Sequence, residues 1–250
     1  FFSFLLFFRY LLLMKLSIYE IEDIDLESFR TRETLNPKVW TKENKLDPEI
    51  RKQLLVMAND FFESLEVGDL EIDDIILTGS LANYNWSKYS DVDLHILVDY
   101  KDLDENEELV RDYFNAKKGI WNDAHDIRVH GFDVEMYVQD THEPHAATGI
   151  YSILNDKWNV EPKQLDDIEI DERQVERKAE DLMKRIDNIE YKYDNEMYEE
   201  VVNDVAKLKE KIRKFRKCGL EDSGEFSPEN LAFKALRRNG YLEKLGDLSR

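Results

Sequence analysis

Hydrophobic and polar positions along the chain change their spacing several times, and each change predicts an element. Apolar residues recur at helical intervals after Asp47 and Pro48, which suit the N-cap and the first turn of a helix. The stripe of this helix consists of Ile50, Leu54, Met57, Phe61 and Leu65. Two short apolar runs at 75–77 and 94–98 follow and predict buried strands.

The pattern then returns to helix before a second pair of strands. The acidic stretch 104–108 begins a helix whose predicted apolar face consists of Leu109, Tyr113, Ala116 and Ile120. Residues 126–129 and 132–138 predict a β-hairpin that turns at His130 and Gly131. Residues 141–163 are typical of a loop followed by a strand-rich connection.

The last third of the chain is predicted to be helical. Its two apolar stripes are separated by a polar break at residues 194–195, which is typical of a helical hairpin. The stripes consist of Val175, Ala179, Leu182, Ile186, Ile189 and Tyr193, and of Met197, Val201, Val205, Leu208, Ile212 and Phe215. Ser227 and Pro228 predict the start of a third helix by the same capping logic as Asp47 and Pro48.

Composition narrows the function classes without choosing one. The formal net charge of −20 argues against broad binding of nucleic acid, because phosphate contacts need basic side chains, although a local contact is still compatible with it. The single cysteine, Cys218, rules out an internal disulfide, and the sequence has no Cys/His zinc spacing. We therefore expect a cytoplasmic protein.

The first 13 residues are almost wholly apolar. This run is shorter than the roughly 20 apolar residues of a membrane span, and it lacks the basic start and the cleavage site of a signal peptide. Met14 and the residues after it look like an ordinary start. We interpret residues 1–13 as translated upstream sequence, with a membrane anchor as the alternative, and expect no stable membrane association.

A pair of acidic residues after a small turn carries the candidate chemistry. Gly79 and Ser80 end the first predicted strand, and Asp91 and Asp93 open the second. Because side chains alternate along a strand, both carboxylates are expected on one face, where they repel each other unless a cation lies between them. Hard oxygen ligands suit Mg²⁺, and a turn of small residues lets backbone N–H groups approach a phosphate.

This segment resembles the signature of the nucleotidyltransferase superfamily, which includes polymerase-β-like, CCA-adding, antibiotic-modifying and minimal nucleotidyltransferases. Gly79-Ser80 is followed by ten residues and then by Asp91-Val92-Asp93, and the resemblance covers about residues 47–140. It implies an α+β fold with a small mixed β-sheet core and flanking helices, followed by a C-terminal helical region. In general layout the chain also resembles phage-encoded nucleotidyltransferases, which fixes no substrate.

We predict that the chain is divided into three parts. Residues 1–46 form a leader and an irregular segment, residues 47–163 the nucleotidyltransferase catalytic domain, and residues 164–250 the C-terminal helical region.

The superfamily needs a third carboxylate on a later, adjacent strand. Glu135 and Asp133 lie on one face of the second hairpin strand, and Asp126 lies on the first, at the end away from the turn. Glu135 sits further into the apolar run, where burial without a partner is costly and a metal would remove that cost. We predict Glu135, keep Asp133 as the alternative, and rank Asp126 below both.

The resemblance implies a reaction. Asp91, Asp93 and Glu135 would hold Mg²⁺, with Mn²⁺ as an alternative, and transfer a nucleoside monophosphate from an NTP to a hydroxyl with release of pyrophosphate. Gly79 and Ser80 would hold the β- and γ-phosphates. The acceptor stays open between an RNA 3′ end, a protein hydroxyl, another nucleotide and a small molecule. The alternative function is an inactive nucleotidyltransferase-fold binding or antitoxin-like protein.

Other polar residues extend the candidate site. Lys211 and Lys214 belong to a basic helix that is predicted to contact the triphosphate or acceptor phosphates, with an ion-paired solvated helix face as the alternative. His95 shares the strand face of the aspartates and either touches a nucleotide or simply packs. His142 and His145 follow Glu135 in what we interpret as a surface loop, with contact to substrate as the alternative.

Overall fold

The computed structural model describes residues 24–145, 147–164 and 168–249. The chain folds into two compact units, one of residues 28–168 and one of residues 169–249 together with the few described residues before 28. Residues 1–13, which we interpret as translated upstream sequence, lie outside the described part of the chain.

The first unit is built around a six-stranded mixed sheet with the strand order β3-β4-β2-β1-β5-β6. Neighbouring strands β2 and β4 run parallel, and the other neighbours are antiparallel. The elements are α1 (Pro48–Ser64), β1 (Asp74–Thr78), β2 (Val92–Val98), α2 (Glu107–Ala124), β3 (Arg128–Val129), β4 (Phe132–Asp140), β5 (Ile150–Ser152) and β6 (Lys157–Val160). Together with the helices of the second unit, this sheet confirms the predicted α+β class.

Alternation along the strands gives the sheet two different faces. One face packs with α1 and α2 in the main hydrophobic cluster, which includes Leu54, Phe61, Ile75, Leu94, Phe114 and Met136. Among the described residues, the other face carries a small apolar cluster of Ile76, Leu97 and Ile150, with Ala147 packed against it. The rest of this second face presents the polar residues of β2 and β4, so it is the face on which a site can form.

Local sequence signals account for the ends of several elements. The Asp47 side chain accepts hydrogen bonds from the N–H groups of Glu49 and Ile50, which confirms the predicted start of α1. The β3–β4 hairpin is also confirmed, and its turn residues His130 and Gly131 have φ values of 52° and 89°. Positive φ at both central residues is the geometry of the type I′ turn, one of the two favoured turns of two-residue hairpins.

The predicted apolar face of α2 is mostly wrong, because of its four residues only Tyr113 packs against the main cluster. Leu109, Ala116 and Ile120 are exposed, and the helix instead buries Val110 and Phe114. Half-buried Tyr113 and Trp121 pack beside these two residues against the main cluster. The prediction left out Phe114 and Trp121, two aromatic side chains of the kind whose burial removes the largest apolar area from water.

The segment before α1 packs into the sheet unit. Trp40 is buried in the main cluster, its Nε1 donates a hydrogen bond of 2.7 Å to the Leu81 carbonyl, and its ring stacks on Trp158 at 4.6 Å between centroids. This tryptophan therefore ties residues 28–46 to the chain that follows β1.

The second unit consists of α3 (Glu172–Asp194), α4 (Tyr198–Ser223), α5 (Pro228–Arg238) and α6 (Tyr241–Asp247). The break between α3 and α4 and the Ser227 cap of α5 are confirmed. Both stripes are largely buried, but Tyr193 at the end of the first is 46% exposed, because α3 ends one residue later and its last turn is solvated. None of the described helices is long and apolar enough to cross a bilayer.

Candidate functional site

The parallel pairing of β2 and β4 brings together carboxylates that are 42 positions apart in the chain. Asp93 on β2 is the register partner of Glu135 on β4, and on the other side of β2 it pairs with Thr78, the last residue of β1. Asp93 and Glu135 are both half-buried. Their side chains share the face on which the described residues form only a small apolar cluster.

The turn after β1 is pressed against the Asp93 carboxylate. Gly79 has φ 74° and ψ −162°, a region that is essentially restricted to glycine. A Cβ atom built on Gly79 would lie 1.8 Å from Oδ2 of Asp93, well inside van der Waals contact. Glycine is therefore required here both by the backbone conformation and by the close approach of the carboxylate.

Several hydrogen bonds hold this turn in place. The Gly79 carbonyl accepts from the Ala82 N–H at 3.2 Å and from Asn83 Nδ2 at 3.1 Å. Ser80 Oγ lies 2.8 Å from Ser90 Oγ, which connects the turn to the segment that leads into Asp91. The predicted phosphate-binding turn is thus fixed relative to the predicted metal-binding strand.

Tyr137 and Lys118 complete the site, although sequence reasoning did not select either of them. Tyr137 lies two residues after Glu135 on the same strand face, and its hydroxyl donates a hydrogen bond to Glu135 Oε2. Lys118 comes from α2, and its Nζ lies 3.5 Å from the centroid of the Tyr137 ring. The alternation of β4 could have selected Tyr137, whereas only tertiary packing brings Lys118 to this place.

The electrostatics of these two residues reflect the acidic cluster beside them. Burial raises the pKa of the Tyr137 hydroxyl, and its hydrogen bond to Glu135 and the charges of Glu135, Asp93 and Asp91 raise it further. Burial lowers the pKa of the Lys118 amine, and the charges of Glu135 and Asp93 oppose that effect. Lys118 is thus placed to balance part of the negative charge at the site.

A row of polar side chains extends the site along the sheet. His95 follows Asp93 on the same face, stacks on Tyr137 at 4.7 Å, and has its Nδ1 2.7 Å from Gln139 Oε1. Gln139 Nε2 lies 3.5 Å from His145 Nδ1. Burial lowers the pKa of His95, its hydrogen bond to Gln139 opposes this, and the charges of His145 and Lys118 lower it further.

The structure places the two main candidates for the third carboxylate in different surroundings. Glu135 lies beside Asp93 and is half-buried, whereas the Asp133 side chain is 62% exposed at the end of the hairpin. Asp133 Oδ1 lies 2.5 Å from Arg128 Nε, so its charge is paired on the surface. Asp126 is also on the surface, 3.7 Å from the same guanidinium nitrogen.

Asp91, Asp93 and Glu135 share a region without forming a tight triad of ligand atoms. Glu135 directs one oxygen at the Tyr137 hydroxyl. Within the described residues, a different group of three metal-ligating side chains is that close together. The ligand atoms of Asp99, Asp140 and His142 all lie within 4.8 Å of one another. Joint binding of one ion by Asp91, Asp93 and Glu135 therefore requires their side chains to converge.

Lys211 and Lys214, the predicted phosphate contacts, lie on α4 in the second unit. Both are exposed, and Lys214 Nζ lies 3.1 Å from Glu210 Oε1. They line a groove of about 840 Å³ between α3, α4 and the start of α5. The other charged residues that line it are Lys178, Lys207, Glu210, Asp222 and Glu229. The groove thus mixes both signs of charge, and part of its basic character is neutralised by ion pairs.

Comparisons with known proteins identify no relative. No protein-family model matches the chain, and searches of curated proteins and of solved structures return no significant match. The function is therefore inferred from the residues and from their geometry.

Proposed function

We propose that this protein is a metal-dependent nucleotidyltransferase that transfers a nucleoside monophosphate from an NTP to a hydroxyl and releases pyrophosphate. The observation that carries the proposal is the close approach of Gly79 to the Asp93 carboxylate. The pairing of β2 with β4 also aligns Asp93 with Glu135. A tight backbone turn against acidic side chains suits the binding of nucleotide phosphates next to the cation that those side chains hold.

The donor set fits Mg²⁺, with Mn²⁺ as the alternative, because carboxylate oxygens are hard ligands. Asp91 and Asp93 would hold the ion from the start of β2, and Glu135 would hold it from β4. When bound, the divalent ion supplies positive charge that neutralises the triphosphate and lowers the pKa of the acceptor hydroxyl. Lys118 adds a further positive charge, which the nearby Glu135 and Asp93 favour.

The reaction forms one bond and breaks another at the α-phosphorus. The acceptor oxygen bonds to that phosphorus, the bond from the phosphorus to the oxygen that bridges to the β-phosphate breaks, and the electron pair leaves with pyrophosphate. Glu135 is placed to take up the acceptor proton, and the Tyr137 hydroxyl orients its carboxylate. Ser80 and the backbone at Gly79 hold the β- and γ-phosphates as negative charge moves onto them.

The experiment that tests the proposal is incubation of the protein with each NTP labelled at the α-phosphate, in the presence of Mg²⁺. RNA, protein and small-molecule pools serve as acceptors, and label transfer and pyrophosphate release are both measured. We expect transfer to one pool with equimolar pyrophosphate, and loss of transfer when Mg²⁺ is chelated. Absence of transfer with every NTP and every pool, under Mg²⁺ and Mn²⁺, would contradict the proposal.

Lys118 gives a prediction that depends on tertiary structure. Replacing it with Met should lower kcat/KM for NTP by about 10- to 100-fold, because one charge-assisted contact to phosphate contributes about 1.5–3 kcal/mol. Lys117→Met is the matched control, since Lys117 Nζ also lies over a tyrosine ring, that of Tyr113, at 5.6 Å. If the two variants have equal kcat/KM for NTP, Lys118 does not contact the nucleotide.

The basic groove gives a second prediction. Replacing both Lys211 and Lys214 by Gln should raise the apparent KM on the order of fivefold and weaken the dependence of KM on salt. The reason is that two exposed charges together contribute about 1 kcal/mol to the free energy of binding. The control replaces Lys184 and Lys217, two exposed lysines of the same unit that also form ion pairs. If both double variants keep the KM of the parent at every salt concentration, these lysines form only a solvated helix face.

A further inference from the structure

We propose that Asp99, Asp140 and His142 form a binding site for a divalent transition-metal ion, best matched to Zn²⁺. One oxygen of each aspartate and one ring nitrogen of the histidine lie within 4.8 Å of one another. This group is separate from Asp91, Asp93 and Glu135, and its assignment does not depend on the proposed enzymatic function.

The site is built at the ends of β2 and β4. Asp140 is the last residue of β4 and pairs in register with Val98, the last residue of β2, and Asp99 follows directly. The Thr141 N–H donates to the Val98 carbonyl at 2.9 Å and continues the ladder past the end of the strands. Asp140 therefore projects from a hydrogen-bonded part of the sheet, which holds a ligand more precisely than a loop does, and Asp99 is the residue directly after the paired end of β2.

Backbone hydrogen bonds orient the carboxylates. Asp99 Oδ1 accepts from the Lys101 N–H at 2.9 Å, and its other oxygen, Oδ2, lies 3.8 Å from His142 Nδ1. Asp140 Oδ1 accepts from the His142 backbone N–H at 3.1 Å and lies 3.3 Å from His142 Nδ1. Such outer contacts fix ligand orientation in metal sites.

The two distances from the histidine nitrogen to the carboxylate oxygens are close to those around a tetrahedral ion. Zn²⁺ binds nitrogen and carboxylate oxygen at about 2.0–2.1 Å, so two ligand atoms at the tetrahedral angle lie about 3.3–3.4 Å apart. The two distances from His142 Nδ1 to the carboxylate oxygens are 3.3 Å and 3.8 Å. A small adjustment of the Asp99 side chain brings the longer distance to the tetrahedral value.

The chemistry of the donors selects the class of ion. One imidazole with two carboxylates suits Zn²⁺ and other first-row transition metals, whereas Mg²⁺ prefers oxygen ligands alone. The side chain of Asp140 is 9% exposed, that of Asp99 28%, and that of His142 65%. The cluster therefore opens to solvent at the histidine, which leaves a path for entry of the ion and room for a water at a fourth position.

The competing arrangement is an ion pair in which a protonated His142 bridges the two aspartates. Both arrangements explain two neighbouring carboxylates, because each supplies positive charge between them. The two arrangements differ in metal binding, because a histidine that stays protonated between the aspartates cannot bind a metal ion.

The two acidic clusters can be tested independently. Asp99 follows Asp93 by six positions, so about 20 Å lies between the clusters.

The experiment is titration of the full chain with Zn²⁺ in competition with a chromogenic chelator, followed by Co²⁺ absorption as a report on tetrahedral geometry. Asp93→Asn serves as the background, so that the other acidic cluster contributes less to metal binding. We expect one bound Zn²⁺, and a loss of affinity of at least about 100-fold on His142→Gln or Asp140→Asn. Millimolar Mg²⁺ should not displace the ion.

His125→Gln is the matched control, because His125 is also exposed and its ring nitrogen lies 3.0 Å from a backbone carbonyl, that of Trp121. Its Zn²⁺ affinity should equal that of the background protein. Asp140 is buried and its replacement can disturb folding, so exposed His142 decides the matter, with circular dichroism to verify the fold. Absence of Zn²⁺ binding by the background protein, or equal affinity in His142→Gln, would overturn the proposed site.

Discussion

Asp93→Asn is expected to lower NTP turnover on the order of a thousandfold or more while the protein stays folded. Asp93 lies between the Gly79 turn and Glu135, so in the proposed reaction its charge would act on the nucleotide through the cation. Loss of such charge stabilisation costs several kcal/mol of the activation barrier. The measurement is steady-state turnover with the preferred NTP and Mg²⁺.

Thermal melts separate loss of charge from loss of fold. Neutralising one of several neighbouring carboxylates removes repulsion, so the melting temperature of Asp93→Asn should be unchanged or higher than that of the parent protein without Mg²⁺. Mg²⁺ should raise the melting temperature of the parent protein more than that of the variant, since a ligand stabilises only the state that binds it. Full activity of Asp93→Asn would refute the nucleotidyltransferase proposal.

Two further variants test the choice of third carboxylate. Glu135→Gln should lose as much turnover as Asp93→Asn, because both side chains face the same part of the sheet. Asp133→Asn should cost far less, since that carboxylate is exposed and paired with Arg128. An inactive Asp133→Asn together with an active Glu135→Gln would reverse the assignment.

Gly79→Ala is expected to lower turnover by at least about 100-fold and to destabilise the protein. The new Cβ would meet Asp93 Oδ2 at 1.8 Å, so either the turn or the carboxylate must shift by an ångström or more. A misplacement of about 1 Å at a reacting centre can cost about 100-fold in rate. The glycine-only backbone conformation adds a strain of about 1–3 kcal/mol to the free energy of the folded state.

Gly224→Ala is the matched control for this substitution. Gly224 has φ 72° and ψ −159°, nearly the conformation of Gly79, but a Cβ built there meets no atom within 4 Å. It should therefore reproduce the backbone strain, measured by chemical denaturation, without loss of turnover. If both alanine variants lose activity equally, general destabilisation explains the effect and the contact of Gly79 with Asp93 does not.

Features that depend on near neighbours in the chain followed from the sequence. Asp47 and Ser227 cap helices because their side chains accept hydrogen bonds from N–H groups two or three residues later. The strand alternation that placed Asp93 and His95 on one face is equally local. The turn at Gly79 and Ser80 is local as well, and its small residues indicated it, whereas the positive φ of Gly79 is known only from the structure.

Features that depend on which elements pack together did not follow from the sequence. The buried side of α2 was predicted wrongly, because Leu109 and Val110 are both apolar and only the sheet decides which of them it covers. Lys118 reaches the site for the same reason, since its place beside Tyr137 depends on how α2 lies against β4.

The surroundings of His142 show the same difference between local features and features that depend on packing. The sequence placed His142 in a surface loop after β4, which agrees with its exposure. Its two aspartate neighbours come from the ends of separate strands, and nothing in the local pattern connects them.

The sequence by itself determined most of the helices and strands, their order, the α+β class and the glycine turn before an acidic pair, but it predicted neither α6 nor the separate strands β5 and β6. Tertiary structure decided that Glu135 rather than Asp133 lies beside Asp93, that Lys118 and Tyr137 join them, and that Asp99 meets Asp140. The physical reason is that parallel register is set by long-range packing, and a shift of one residue moves every side chain to the other face of the sheet.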